Sequence, residues 1–200
     1  MVIYCATSNP GKLAEFRMAA PPGLCIETAG PFDCPETGSS FEENAIAKAL
    51  CYAERIRSLV FADDSGLVVD ELGGAPGIHS ARYAGEGASD EENRRRLLQN
   101  LKQRSGSRWP ARFVCVIALA LPGRLLGTFH GAVEGQILDA PAGSGGFGYD
   151  PLFYFPPLGR TFAEMTGEEK TAHSHRGQAF RALLNWLDRG PAPGIPYKQS

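Results

Sequence analysis

A chain of 200 residues suffices for one large domain or two small lobes, and its 43% hydrophobic and 21% charged content suits a soluble globular protein. The formal net charge of −2 excludes an overall electrostatic case for nucleic acid or an anionic membrane as the main partner. The N-terminus lacks a signal-peptide pattern and no apolar run is long enough to span a bilayer, so a cytoplasmic location is expected.

Val2–Ala6 reads as a buried-type strand. Lys12–Ala20 places Leu13, Phe16 and Ala20 on one helical face. Phe41–Arg55 reads as a second helix, opened by Ser40 and Glu43 at capping-box spacing. Leu59–Ala62 is expected as a strand that ends at an acidic pair, and Gly66–Asp70 is a candidate for a further strand. Ser89 and Glu92 repeat the capping-box spacing before a helix striped by Leu97, Leu98 and Leu101. Arg112–Leu121 and Arg124–His130 flank Pro122-Gly123 and predict a hairpin, with Val133–Leu138 a candidate to extend its sheet. Ser174–Leu187 predicts a last helix with Gly190 just beyond its end, and residues 191–200 form a Pro/Gly-rich tail. Helices interleaved with strands, plus one hairpin, indicate an α/β fold with a mixed sheet and a single domain over residues 1–190. Cys5, Cys25, Cys34, Cys51 and Cys115 are odd in number and have no C-x-x-C spacing, so they are expected to be reduced thiols.

Four segments carry candidate chemistry. In "ATSNPGK", Asn9 is a favoured N-cap and Pro10 suits the first helical position. Free N–H groups of that first turn, the hydroxyls of Thr7 and Ser8, and the charge of Lys12 would attract a phosphate. The same residues also describe an ordinary capped helix with an exposed lysine. In "FADDSG", Asp63 and Asp64 at a strand end would repel each other unless a cation such as Mg²⁺ were near, whereas Asp-Asp-Ser-Gly is also good turn chemistry. In "PAGSGGFGYDPLF", the glycines allow close backbone approach, and Phe147 and Tyr149 offer flat faces for stacking. In "EEKTAHSHRGQAF", Lys170, His175 and Arg176 precede or open the last helix, where positive charge opposes the dipole unless an anion or a carbonyl-rich ligand offsets it.

Together with "ETGSSFEENAIAKA" and the longer run "FADDSGLVVDELGGAPGIHSARYAG", these segments occur in one order over most of residues 1–187. The chain thereby resembles the inosine triphosphate pyrophosphatase family, the dITP/XTP pyrophosphatases. The resemblance implies Mg²⁺-dependent hydrolysis of noncanonical purine nucleoside triphosphates (ITP, dITP, XTP) to the monophosphate and pyrophosphate. It implies a homodimer and an elongated mixed central sheet flanked by helices, in two lobes with a cleft between them. It assigns Thr7, Ser8, Asn9 and Lys12 to the triphosphate, Asp64 to general base and metal ligand, Glu36 to second metal carboxylate, and Asp63 to support of the base or of a metal-bound water. Glu43 is a weaker candidate, since its capping spacing already explains it. Ser65 would touch substrate, and Phe147, Gly148, Tyr149, Asp150, Lys170, His175 and Arg176 would form the nucleobase pocket. Ser8 stands where glycine is frequent in that family, and His79 where a larger aromatic is frequent. A pyrophosphatase for other modified nucleotides and a non-hydrolysing nucleotide-binding module are the alternatives. The acidic pair weighs against the second.

Overall fold

A computed structural model describes residues 1–189. Strand β1 (Val2–Ala6) is followed by helix α1 (Pro10–Ala19) and by β2 (Cys25–Thr28), which lies parallel to β1 with Val2 opposite Cys25. The parallel pair is possible because α1 carries the chain back across the sheet. Strand β2 has no clear sequence signal: of its four residues only Ile26 is buried, as befits an edge. Helix α1 begins where Asn9 and Pro10 predict, with the Asn9 side chain accepting from the N–H groups of Gly11 and Lys12. Phe16 anchors it, its ring 5.0 Å from that of Phe61 and 5.2 Å from that of Phe180.

Helix α2 (Phe41–Ile56) is capped by Ser40 and ends at Arg57 in the left-handed region (φ 53°). Its buried face carries Ala45, Ala49 and Ala53, small side chains that share a core with Ala6, Ala62 and Ala118. Alanine on both surfaces lets a helix approach a sheet closely at no rotamer cost.

The expected strand break at the acidic pair does not occur. Strand β3 runs unbroken from Val60 to Val69, so Asp63 and Asp64 lie inside a strand and not at its end. What ends there is the neighbour: β1 pairs with β3 only as far as Ala6 opposite Ala62. Turn-prone Ser65 and Gly66 are held extended because Leu67 and Val69 beyond them are fully buried.

Helix α3 (Asp90–Leu101) opens with the complete capping box of Ser89 and Glu92 and buries Leu97 and Leu101. Strands β4 (Arg108–Leu121) and β5 (Arg124–Leu138) meet at Pro122-Gly123, where Gly123 has φ +69°. Both are longer than the sequence suggests. The Arg108–Ala111 stretch alternates exposed and buried residues despite Pro110, and β5 passes straight through Gly131. Short β6 (Phe153–Phe155) and β7 (Arg160–Thr161) pair antiparallel. Helix α4 (Gly167–His173) precedes α5 (His175–Arg189). Gly190 and the tail at 191–200 lie outside the described residues.

Among the described residues the strands form one mixed seven-stranded sheet in the order β2-β1-β3-β4-β5-β6-β7, flanked by helices, as an α/β fold requires. The chain divides into two compact units. The first takes Met1–Asp64, Val116–Gly131 and 176–189, around the alanine-rich core and the Phe16, Phe61 and Phe180 rings. The second takes Ser65–Cys115 and Ala132–His175, around Leu97, Trp109, Phe113, Phe153 and Phe162.

The reading of all five cysteines as reduced thiols is overturned: Cys34 and Cys51 form a disulfide. It joins the segment before Glu36 to α2, a proximity that seventeen residues of separation do not reveal in the sequence.

Candidate active site

In the first unit, Asp63 is fully buried. Its Oδ2 accepts from Lys12 Nζ at 2.8 Å and lies 3.8 Å from Arg176 Nε. Burial opposes ionisation of Asp63, but Lys12, Arg176 and Lys48 outweigh it and hold the carboxyl well below the usual carboxylate range. Lys12 is therefore no exposed lysine; its side chain is 16% exposed and faces the acidic strand. The first-turn N–H groups expected to be open to a phosphate are partly consumed, because Asn9 Oδ1 accepts from Gly11 N (2.9 Å) and Lys12 N (3.1 Å). Thr7 Oγ1 in turn accepts from Asn9 N at 3.2 Å, and Ser8 is exposed.

Asp64 is also buried, and burial pushes its pKa up, against the lowering influence of Lys12, Asn44 and Lys48. Glu36 raises it further. A carboxylate in this setting holds a proton more readily than its neighbour Asp63, so burial and the neighbouring charges push the two adjacent carboxyls in opposite directions.

Glu36 is carried by an extended segment tied to α2 at alternate residues. Cys34 is joined to Cys51, Glu36 Oε1 accepts from Lys48 Nζ at 2.7 Å, and Gly38 N donates to Asn44 Oδ1 at 2.8 Å. The two-residue step of the segment matches the three- and four-residue steps of the helix face. Gly38 is required there, since a Cβ would fall 2.7 Å from Glu43 Cβ. Asn44 also donates from Nδ2 to Asp64 Oδ2 at 3.0 Å, so one amide links the Glu36 segment to Asp64. Glu43 takes a different post: its Oε2 accepts from Ser39 N and Ser39 Oγ. Asn44 and Lys48 escape sequence reasoning, although an asparagine four residues before a lysine in an otherwise alanine-lined helix was the available signal.

Among the described residues no group of three or more His, Cys, Asp or Glu side chains is arranged to hold a metal. Asp64 and Glu36 give two hard oxygen donors with mutual repulsion, the share of a shell that a protein commonly supplies to Mg²⁺ when phosphate oxygens and water supply the rest.

In the second unit, Gly146–Asp150 folds around the Asp150 carboxylate. Phe147 N donates to Asp150 Oδ2 at 2.8 Å, and Lys170 Nζ ion-pairs with the same oxygen. Lys170 also lies 4.5 Å from the centroid of the Phe147 ring. Gly146 is obligatory, because a Cβ would come within 2.1 Å of Asp150 Oδ2. Tyr149 is packed in the core and its hydroxyl donates to Ser80 O at 2.8 Å, so its ring serves the fold and offers no open face. His175 is buried and stacks on Phe113 with ring centroids 4.7 Å apart. Ser65 is half-buried in β3, and His79 is exposed in a helical turn over Gly77–Arg82.

The basic residues near the last helix do not all oppose a dipole. Lys170 sits in the last turn of α4, where positive charge is favoured. Arg176 in the first turn of α5 ion-pairs with Glu15 on α1 and approaches Asp63. The chain's own carboxylates therefore offset its position, and the structure groups Arg176 with Lys12 and Asp63 in the first unit.

The model of the Ham1 family matches residues 3–186. A dITP/XTP pyrophosphatase of Thermus thermophilus is 48% identical over 197 residues, covering 96% of this chain and 95% of the relative. One of Gloeobacter violaceus is 51% identical over 190 residues, covering 94% and 95%. Among solved structures, the Staphylococcus aureus Ham1 protein superposes with a TM-score of 0.83 at 43% identity, covering 94% of this chain and 99% of that one. A HAM1 protein from Coxiella burnetii gives 0.84 at 41%, covering 95% and 100%. The order of motifs, the mixed sheet and the near-complete coverage agree: this chain belongs to the Ham1 family.

Proposed function

We propose that this chain is an Mg²⁺-dependent pyrophosphatase that hydrolyses noncanonical purine nucleoside triphosphates, ITP, dITP and XTP, to the monophosphate and pyrophosphate. The names of its relatives support the substrate class. The observation that carries the chemistry is the unequal setting of the acidic pair: Asp63 Oδ2 is ion-paired with Lys12 Nζ at 2.8 Å, whereas the buried Asp64 accepts from the neutral Asn44 amide at 3.0 Å.

Asp64 accepts the proton of the attacking water. Asn44 fixes the Asp64 carboxylate by its 3.0 Å hydrogen bond, so the base enters the reaction in one orientation. Lys12, steered by Asp63, places a positive charge for the departing pyrophosphate, and the hydroxyls of Thr7 and Ser8 add donors to the triphosphate. Asp64 and Glu36 would hold Mg²⁺, which when bound offsets the charge that develops on the phosphate oxygens. Phe147, in a segment braced by Asp150 and Lys170, presents a ring to the purine. The protein works as a homodimer in the cytoplasm on this reading. The described residues contain no helix long and apolar enough to cross a membrane.

Product analysis with ITP, with and without Mg²⁺, tests the proposal. Inosine monophosphate plus pyrophosphate, formed only with the metal, is expected. Inosine diphosphate plus phosphate would assign another hydrolase, and tight binding without product would leave a nucleotide-binding module.

A further inference from the structure

Helix α3 reaches the glycine-rich segment with two side chains that nothing above assigns to the reaction. Asp90 Oδ2 accepts from Gly148 N at 2.6 Å, and Arg94 Nη1 donates to Gly148 O at 2.6 Å. Both main-chain polar groups of one residue are thus held by one helix face, since Asp90 and Arg94 stand four residues apart. The geometry departs from what that spacing usually gives, an ion pair along the helix.

The platform is itself fixed. Ser89 and Glu92 close the capping box at its start, Asn93 bonds Ala84 N and Ala81 O, and Leu97 and Leu101 are fully buried. The segment it grips is intrinsically loose. Gly146 and Gly148 have φ of +71° and +59°, and glycine loses more conformational freedom on ordering than any other residue. Phe147 lies between them. Asp150 holds its N–H on one side, and the α3 pair holds the next residue on the other. The backbone that carries the Phe147 side chain is therefore held from both sides by charged groups.

We infer that Asp90 and Arg94 are positioning residues that orient Phe147 through the Gly148 main chain and so set the purine selectivity of the enzyme. The inference rests on the reading of the Phe147 segment as the purine-recognition element. Without the pair the segment samples more conformers before substrate binds. That cost falls on substrate binding and on the discrimination between bases, not on the proton-accepting step.

Steady-state kinetics of Asp90→Ala, Arg94→Ala, Asp90→Asn and Phe147→Ala on ITP, XTP and ATP test it, with melting temperatures alongside. The two α3 alanine variants are expected to lower kcat/KM for ITP about tenfold, mainly through KM, and to narrow the ITP-over-ATP ratio. Asp90→Asn keeps an oxygen that accepts from Gly148 N and restores most of both. An ITP-over-ATP ratio unchanged in Asp90→Ala and Arg94→Ala, with kcat and melting temperature lowered, would overturn the inference in favour of a structural tie. Phe147→Ala separates the two levels. If it shifts the ratio while the α3 variants do not, only the positioning role fails. If it leaves the ratio unchanged, purine recognition by this segment fails and the positioning role with it.

Discussion

Lys12 Nζ donates to Asp63 Oδ2 at 2.8 Å across 51 residues of sequence, and the carboxylate it meets is fully buried. This pair joins the first turn of α1 to the strand beyond the point where β1 ends. It converts a helix-start lysine into a positioned charge close enough to act on the buried Asp64.

Lys12→Met should lower kcat/KM for ITP and XTP by the same factor, about 10²–10³, because the lost charge acts on the triphosphate and not on the base. Stability should fall too, but by less than the about 3–5 kcal/mol typical of a broken buried pair, since Arg176 remains 3.8 Å from Asp63. Paired kinetics on the two nucleotides and a denaturant titration check both. A loss confined to one base would remove Lys12 from the phosphate site.

Asp64→Asn should abolish turnover, by several orders of magnitude, yet not destabilise the fold at neutral pH. The folded pKa of Asp64 is raised by burial, so the native state binds its proton more tightly than the unfolded chain. Its contribution to stability is then greatest below the ordinary carboxylate pKa and declines as pH rises through the raised value. In EDTA at pH 7.5 the amide variant should melt at or above the parent, and the difference should vanish on acidification. Added Mg²⁺ should raise the parent's melting temperature and leave the variant's unchanged. A variant that melts well below the parent at pH 7.5 would contradict the assignment.

Arg176→Ala distinguishes a base-reading arginine from one that supports the acidic strand. Its ion pair with Glu15 and its approach to Asp63 point to the second role. The expected outcome is a comparable loss of kcat/KM on ITP, XTP and ATP with the ITP-over-ATP ratio held within about twofold. A collapsed ratio with little loss on ITP would return Arg176 to the nucleobase.

The Cys34–Cys51 disulfide closes a seventeen-residue separation around the Glu36 segment. Its removal in Cys34→Ser/Cys51→Ser should cost about 3 kcal/mol or less, the chain-entropy expectation for so short a loop. Dithiothreitol should lower the parent's melting temperature and leave the double variant's unchanged. If Glu36 is positioned by this tether, the double variant should also need more Mg²⁺ for half-maximal activity. An unchanged Mg²⁺ requirement would leave the salt bridge to Lys48 and the Gly38–Asn44 bond as the sufficient supports.

Where a feature depended on near neighbours, it was legible in the residues. Asn9 and Pro10 start α1, Ser89 and Glu92 cap α3, Pro122-Gly123 turns the hairpin, and the leucine stripe of α3 faces its core, because each signal acts within a few residues. The ordered motifs from "ATSNPGK" to "EEKTAHSHRGQA" identified the family for the same reason: they are read along the chain. Local chemistry misled where distant packing outweighed it. Asp-Asp-Ser-Gly reads as a turn, yet it lies within β3 because burial of Leu67 and Val69 beyond it overrides turn propensity. Which cation meets Asp63, which amide orients Asp64, which cysteine bonds to Cys34 and which side chains grip Gly148 are all relations between residues 17 to 58 positions apart. No spacing rule fixes such pairs. They arise only when strands, helices and loops are brought together, and the same assembly gives two adjacent aspartates different partners, Lys12 for Asp63 and Asn44 for Asp64.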